Sequence, residues 1–455
     1  MSSPFKNKWI LSISGILCLL SGAILFSKIG ETSFHGDESS WIASGNYYSG
    51  LLLKGDFKRE NWICPECGPW GSLNMHLGKL LIGIPMKIVS QETDQEFTSF
   101  YDWGESLEEN LRDGKVPPMD ILLRARRMSA VFGVLCCLLV FAIGYFTYNV
   151  WTGLMATLLL LVNPLFIVSA TRATTDIHYN FFSLSLALST VLILKGRKKS
   201  YMMLASSCSG ILAGLAAAVK ITGIIIGGSL FLAVVLYKGM LGKLEKRDVG
   251  LSISLFAFLS VSTIYLLNPY FWPSFDTING KVIIYELQSL SKEFAAGEVR
   301  GSGIRERYPQ LSNLSNVLEF PNMFLKWRSF MREQRTIWKS ASWNGNRFAS
   351  FHQRLLLSYA SFFLEWTFLI IGIAACFTTL RGSFGTKEIA PLFLPFLYFV
   401  INYVFILTFM ELNWARYYLP TVIASKVLVA VGIYEVTTRG YKYVVELRPS
   451  LTSRK

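Results

Sequence analysis

The chain has 455 residues, 52% hydrophobic and 16% charged, with a mean hydropathy of +0.40, whereas a soluble domain carries roughly a quarter charged residues. The net charge is +14, yet residues 31–120 hold 15 acidic against 7 basic side chains, so that stretch is near −8 and the rest near +22. These figures exclude a soluble enzyme, a disordered chain and a single-anchor receptor. The basic residues come in short clusters between apolar segments, which argues against a nucleic-acid partner.

About ten apolar segments are predicted, each long enough to cross a hydrocarbon core of roughly 30 Å. They lie near 9–28, 128–148, 150–170, 177–194, 201–219, 221–237, 249–267, 355–380, 389–410 and 417–436. No small-residue cleavage site follows the first, so it reads as a spanning anchor. The basic clusters at Lys6/Lys8, Lys195 to Lys199, Lys238 to Arg247, Arg381/Lys387 and Arg439 to Lys455 all fall on one side. By the positive-inside rule both termini are cytoplasmic. The exception is Arg124-Ala-Arg-Arg127, three arginines on the outer side suited to an anionic headgroup.

The expected fold is an all-α polytopic membrane protein, one domain over 1–455 with about 10 transmembrane helices. Two large outer loops, 29–127 and 268–354, carry interfacial helices, and 437–455 is a short cytoplasmic tail. In the first loop, Leu73 to Val89 is apolar but interrupted by Lys79 and Lys87, and reads as a helix lying on the outer face. In the second, Phe324 to Trp343 mixes five basic residues with Trp327, Trp338 and Trp343, which suits a headgroup contact or a solvated helix packed on the membrane domain. No internal repeat is visible, which weighs against a secondary transporter.

Cys18, Cys136, Cys137, Cys208 and Cys376 lie in apolar segments and read as small hydrophobes. Cys64-Pro-Glu-Cys67 lies in the first polar loop. Its readings are a local disulfide, a metal site needing two more ligands (His35 and His76 are nearest), or free thiols. No metal ligand set is assigned.

Four polar clusters fall at the outer ends of spans: Phe34-His-Gly-Asp37-Glu38 with Trp41, Arg172 to Asp176 with His178, Lys220 in a tight turn, and Arg416-Tyr417 before Pro420. Two acidic clusters and two cations at one interface suit a substrate that is half lipid and half anion. Arg and Lys bind phosphate, and a carboxylate orients or deprotonates a hydroxyl. Taken singly, each has a plainer reading: a solvated acid pair, snorkelling cations, or Asp176 capping a helix that begins at Ile177. Their joint occurrence favours a site. Glu365 and Lys426 interrupt apolar spans roughly ten residues from the outer end, about 15 Å deep at 1.5 Å per residue. They are expected to pair across two helices, or Glu365 to sit at the interface.

The order of these motifs is similar to the GT-C superfamily of glycosyltransferases, closest to the protein O-mannosyltransferase and lipid A aminoarabinose transferase branch. The order is Asp37-Glu38, the amphipathic Leu77 to Gly83, Arg-x-x-x-Asp from Arg172, Gly-Leu-Ala-x-x-x-Lys-x-x-Gly from Gly214, and Arg-Tyr-x-Leu-Pro from Arg416. Where many relatives carry His-Pro-Pro, this chain reads Asn74-Met75-His76. The resemblance implies transfer of a sugar from a polyprenyl-phosphate carrier to a lipid, glycan or protein acceptor on the outer face, with inversion. It implies Asp37 as catalytic base supported by Glu38, and Lys79, Arg172, Asp176, Lys220, Arg416 and Tyr417 around the substrate and its phosphate. No cofactor is required by the motifs, and a divalent cation is left open. The expected setting is a bacterial plasma membrane with the active site extracytoplasmic. The rival readings are a lipid or solute transporter with intramembrane charges and a non-catalytic assembly subunit.

Overall fold

A computed structural model of the chain describes residues 4–63, 75–89, 96–196, 198–269, 272, 359–386, 390–409 and 415–452. Among these the structure is helical and contains no strand. Eight helices are long and apolar enough to cross a membrane. They are α1 (Pro4–Lys28), α6 (Met119–Thr147), α9 (Asp176–Lys195), α10 (Lys199–Val219), α11 (Thr222–Met240), α12 (Lys246–Leu266), α13 (Tyr359–Thr386) and α15 (Leu419–Thr452). The connections between α1 and α6 contain α2 (Gly36–Leu53), α3 (Arg59–Ile63), α4 (His76–Val89) and α5 (Leu107–Arg112).

Two expected spans take a different form. The segment 150–170 is broken into α7 (Val150–Leu161) and α8 (Pro164–Thr171), bent by 71°. The cause is local. Pro164 has no N–H to continue the ladder and disfavours helical geometry at the residue before it. Asn163 then caps the new helix, its Oδ1 accepting from Phe166 N–H at 3.1 Å. The segment 389–410 yields only α14 (Phe393–Phe409), 17 residues long. The expected tail continues the last helix, since α15 stays helical to Thr452.

The core is a contiguous apolar cluster built mainly from α6, α8, α9, α10, α11, α14 and α15. Association of helices in lipid depends on close packing at small residues, and two crossings show it. A Cβ on Gly83 of α4 would collide with the Gly45 carbonyl of α2, and Cβ atoms on Gly372 and Gly432 would collide with the facing backbones of α15 and α13. The first crossing seats α4 beneath α2, and the second holds α13 against α15. On the opposite side of the bundle from the polar clusters, buried Lys238 donates to the Ile193 carbonyl at 2.6 Å and the Gly196 carbonyl at 2.5 Å. It neutralises the C-terminal end of α9, where carbonyls lack helical partners.

Candidate active site

The site starts at the first turn of α2. His35 is its N-cap, its Nδ1 accepting from Asp37 N–H at 3.2 Å, while Glu38 accepts from His35 N–H at 3.1 Å. This reciprocal box fixes the entry of the helix. Consecutive residues on a helix point about 100° apart, so the acid pair serves two neighbours.

Glu38 turns toward α6. Arg126 donates to it through Nε at 2.8 Å and Nη2 at 2.7 Å, a bidentate fork, and Ala173 N–H adds a third bond at 2.8 Å. Arg126 is 1% exposed and also donates to the Ile29 and Thr32 carbonyls, both at 2.7 Å, just past the end of α1. One guanidinium thus joins α1, α2 and α6. The arginine cluster 124–127 therefore divides. Arg126 points inward, and Arg124 pairs with Asp120 at 2.7 Å on the surface, so Arg126 is not a headgroup ligand. Its role was not legible in the sequence, because spacing along α6 does not show which arginine faces α2.

Asp37 is nearly buried and pairs with Arg416, which lies on the 3₁₀ turn Ala415–Tyr418 leading into α15. Asp176 pairs with Lys220, the residue linking α10 to α11. Asp176 is the first residue of α9 and not its cap. The N-cap is Thr175, which makes no side-chain bond, and the Asp176 carboxylate is directed to Lys220 instead. Tyr417 lies between the two cations, its ring centroid 5.7 Å from Lys220 Nζ and 5.6 Å from Arg416 Cζ. Arg172 borders the pairs, donating to the Ser33 carbonyl at 3.2 Å and the Ser33 hydroxyl at 2.9 Å. Burial holds the His35 imidazole below its ordinary value of 6.5, with Arg172 and Arg416 opposing a second positive charge, so the ring is neutral at pH 7. Asp37, Glu38, Arg172, Asp176, Lys220, Arg416 and Tyr417 are thus brought to one end of the bundle.

Lys79 is not among them. It is fully buried on α4, its ammonium 4.5 Å from the Tyr48 ring centroid. Beside it the His76 ring nitrogens lie 3.3 Å from Asn268 Oδ1 and 3.2 Å from the Trp62 carbonyl, and the ring meets Tyr48 and Trp62 edge-on. Burial drives the Lys79 ammonium well below its usual range. It does the same to the His76 imidazole, where the neighbouring lysine adds to the effect. The α4 helix therefore does not rest its lysine on headgroups; the charged end enters an aromatic box. Lys426 and Glu365 form an ion pair between α15 and α13, the lysine buried and the carboxylate 46% exposed. Cys64, Cys67 and the segment 324–343 lie outside the described residues.

Among the described residues the donors do not fit a divalent cation. The three carboxylates at the site already face a cation, Arg416 on Asp37, Arg126 on Glu38 and Lys220 on Asp176. Among the described residues no three His, Cys, Asp or Glu side chains converge.

The fold superposes on that of solved oligosaccharyltransferase structures. The archaeal oligosaccharyltransferase AglB from Archaeoglobus fulgidus, in complex with an inhibitory peptide and a dolichol-phosphate, superposes with a TM-score of 0.52 at 15% identity, over 98% of this chain and 52% of that one. The apo form of the Archaeoglobus fulgidus oligosaccharyltransferase gives 0.53 at 15% identity, over 98% and 53%. ArnT from Cupriavidus metallidurans bound to undecaprenyl phosphate gives 0.48 at 13% identity, over 96% and 62%. The chain spans about half the length of the oligosaccharyltransferase structures it matches. At these identities the likeness is one of fold. Residues 120–266, which hold Arg126, Arg172, Asp176 and Lys220, match the family model described as dolichyl-phosphate-mannose-protein mannosyltransferase. Over that segment the chain is similar to the protein mannosyltransferase family. No curated protein matches the sequence.

Proposed function

We propose that this protein is a multi-pass membrane glycosyltransferase that moves a sugar from a polyprenyl-phosphate carrier to an acceptor at the outer face, with inversion. The observation that carries the reading is the pairing of two buried carboxylates with two cations at one end of the bundle, Asp37 with Arg416 and Asp176 with Lys220. The mannosyltransferase family match over 120–266 and the GT-C fold support it. The carrier-bound sugar class, a lipid, glycan or protein acceptor, and a bacterial plasma membrane with cytoplasmic termini belong to the same proposal. So does the division into one membrane domain with outer loops 29–127 and 268–354 and a tail at 437–455.

The chemistry follows from the pairs. A carrier phosphate entering the site is a competing anion for Arg416 and Lys220, and binding it loosens Arg416 from Asp37. The freed Asp37 carboxylate accepts the proton of the acceptor hydroxyl. That oxygen then bonds to the anomeric carbon as the bond from this carbon to the phosphate oxygen breaks. The bonding electrons leave with the phosphate, where the two cations stabilise the added charge. Glu38 is a positioning residue in this scheme. Its carboxylate is held by Arg126, and it sets the α2 turn that aims Asp37. Arg172 lines the approach through Ser33.

The test is sugar transfer from a radiolabelled polyprenyl-phosphate sugar by purified wild type and Asp37→Asn. A base of this kind contributes about 10²–10⁴-fold. A loss of that size with carrier binding retained supports the assignment, and equal turnover removes Asp37 as the base. Carrier binding without turnover on any donor sugar, together with flux across sealed vesicles, would replace the reading with transport.

A further inference from the structure

Beside the acid pair lies a shelf that the scheme above does not use. Residues 96–115 are held rigidly on α2. Asn110, fully buried, accepts from Asp102 N–H at 2.8 Å and donates to the Asp102 and Ser106 carbonyls, both at 2.9 Å. Ser106 caps α5 in a closed box with Glu109, and Asn46 of α2 donates to the Phe97 carbonyl at 2.9 Å. A loop fixed by a buried amide is organised before any ligand arrives.

The shelf presents rings next to Asp37. Tyr101 and Trp103 meet edge-on with centroids 5.1 Å apart, and His35 meets Trp103 edge-on at 5.6 Å. Gly36, the residue before Asp37, makes the registration possible, because a Cβ there would stand 2.5 Å from the Tyr101 ring. Trp103 is 50% exposed, so its indole is open to a ligand.

The charges select the ligand class. Asp102 and Glu105 flank Trp103, but Lys115 is bonded to Glu105 at 2.7 Å and lies 3.7 Å from both Asp102 and Asp113. The turn is therefore no open trap for a cation, and Asp102, Glu105 and Asp113 against the single Lys115 disfavour an anion on it. What remains is a neutral molecule with an apolar face and a hydroxyl edge. We propose that His35, Tyr101 and Trp103 form an acceptor subsite for a pyranose ring of a glycan, placed so that one of its hydroxyls reaches Asp37. The C–H face of the sugar lies on the indole, whose π-face is negative. Its hydroxyls donate to Asp102 and Glu105. Nδ1 of His35 accepts from the Asp37 backbone, so the neutral ring carries its proton on Nε2 and can donate it to the sugar. The word acceptor rests on the transferase reading; the saccharide site itself does not.

The experiment is saturation-transfer NMR on the full-length protein in nanodiscs, with mannotriose, chitotriose and a Ser/Thr-rich peptide as probes, alongside carrier-sugar binding. Saturation should reach the ring protons of at least one saccharide. Its affinity should fall about tenfold or more in Trp103→Ala and recover partly in Trp103→Phe, with carrier binding unchanged. Tyr101→Leu serves as the second variant should Trp103→Ala not fold. The proposal is overturned if neither saccharide receives saturation, if affinity is unchanged in the folded variants, or if the peptide alone binds in a Trp103-dependent way. Saccharide binding in a protein that releases no sugar from any carrier keeps the subsite and removes the transferase. Turnover onto a peptide without saccharide binding does the reverse.

Discussion

The two ends of α2 hold charge in opposite ways. At its N-terminus Asp37 and Glu38 face cations from two other parts of the chain, and each carboxylate has a defined counter-charge. Three turns later Tyr48 closes a box in which Lys79 and His76 are buried against rings and backbone. The first arrangement can exchange partners when an anionic substrate arrives. In the second, burial disfavours the charged form of both groups. A lysine near a membrane interface is thus not by itself a phosphate ligand; access decides.

Breaking the first arrangement should have the largest effect on stability. Arg126→Met leaves Glu38 buried with only the His35 and Ala173 backbone donors, and removing one partner of a buried pair costs about 3–5 kcal/mol. Thermal unfolding in detergent should show a drop of many degrees, and Arg126→Lys should fail to restore it because the fork is lost. An unchanged midpoint would mean that Arg126 does not hold the three helices together.

Next come the exchangeable cations. Arg416→Ala and Lys220→Ala should each weaken carrier binding by roughly 10- to 100-fold, the range of a hydrogen bond to a charged group. Lys79→Met should leave it unchanged while raising stability at pH 7. Loss of carrier binding in Lys79→Met would dissolve the distinction between the two ends of α2.

A smaller effect concerns pH. His76 titrates well below its unfolded value of 6.5, so the folded protein binds fewer protons than the unfolded chain in that window. Stability should therefore fall as pH drops below 6.5. His76→Asn should flatten the dependence of the thermal midpoint between about pH 6.5 and 5, and an unaltered slope would place the acid sensitivity elsewhere.

The smallest effect is expected at Glu365 and Lys426, where the carboxylate is nearly half exposed and screening reduces the pair to about 1 kcal/mol or less. Glu365→Gln and Lys426→Met should each destabilise slightly, with the double variant recovering part of the loss. Strict additivity would show that the two residues do not interact.

Much of the fold was legible because hydropathy is a local sum. Every expected apolar segment became a helix or a bent pair, and even the break at Asn163–Pro164 carries its own cap and its own missing donor. The interfacial helix was legible from Lys79 and Lys87, but its burial was not. The direction of Lys79 depends on the crossing of Gly83 with Gly45, which no periodicity within α4 specifies. At the site, residue types and their common depth could be read from the chain, whereas the shelf on Tyr101 and Trp103 could not. It depends on Asn110 folding residues 102–106 back onto α2.

The sequence by itself determined a polytopic helical protein with an acid pair, two further cations and a third carboxylate at the ends of its apolar segments, because these are properties of neighbouring residues. Only the tertiary structure decided that Glu38 belongs to Arg126, that Asp37 meets Arg416 across 379 positions of chain, and that Lys79 is fully buried against Tyr48. The reason is physical. An ion pair is set by distance and burial in three dimensions, and helices that meet in the bilayer bring together residues whose separation along the chain carries no information about their contact.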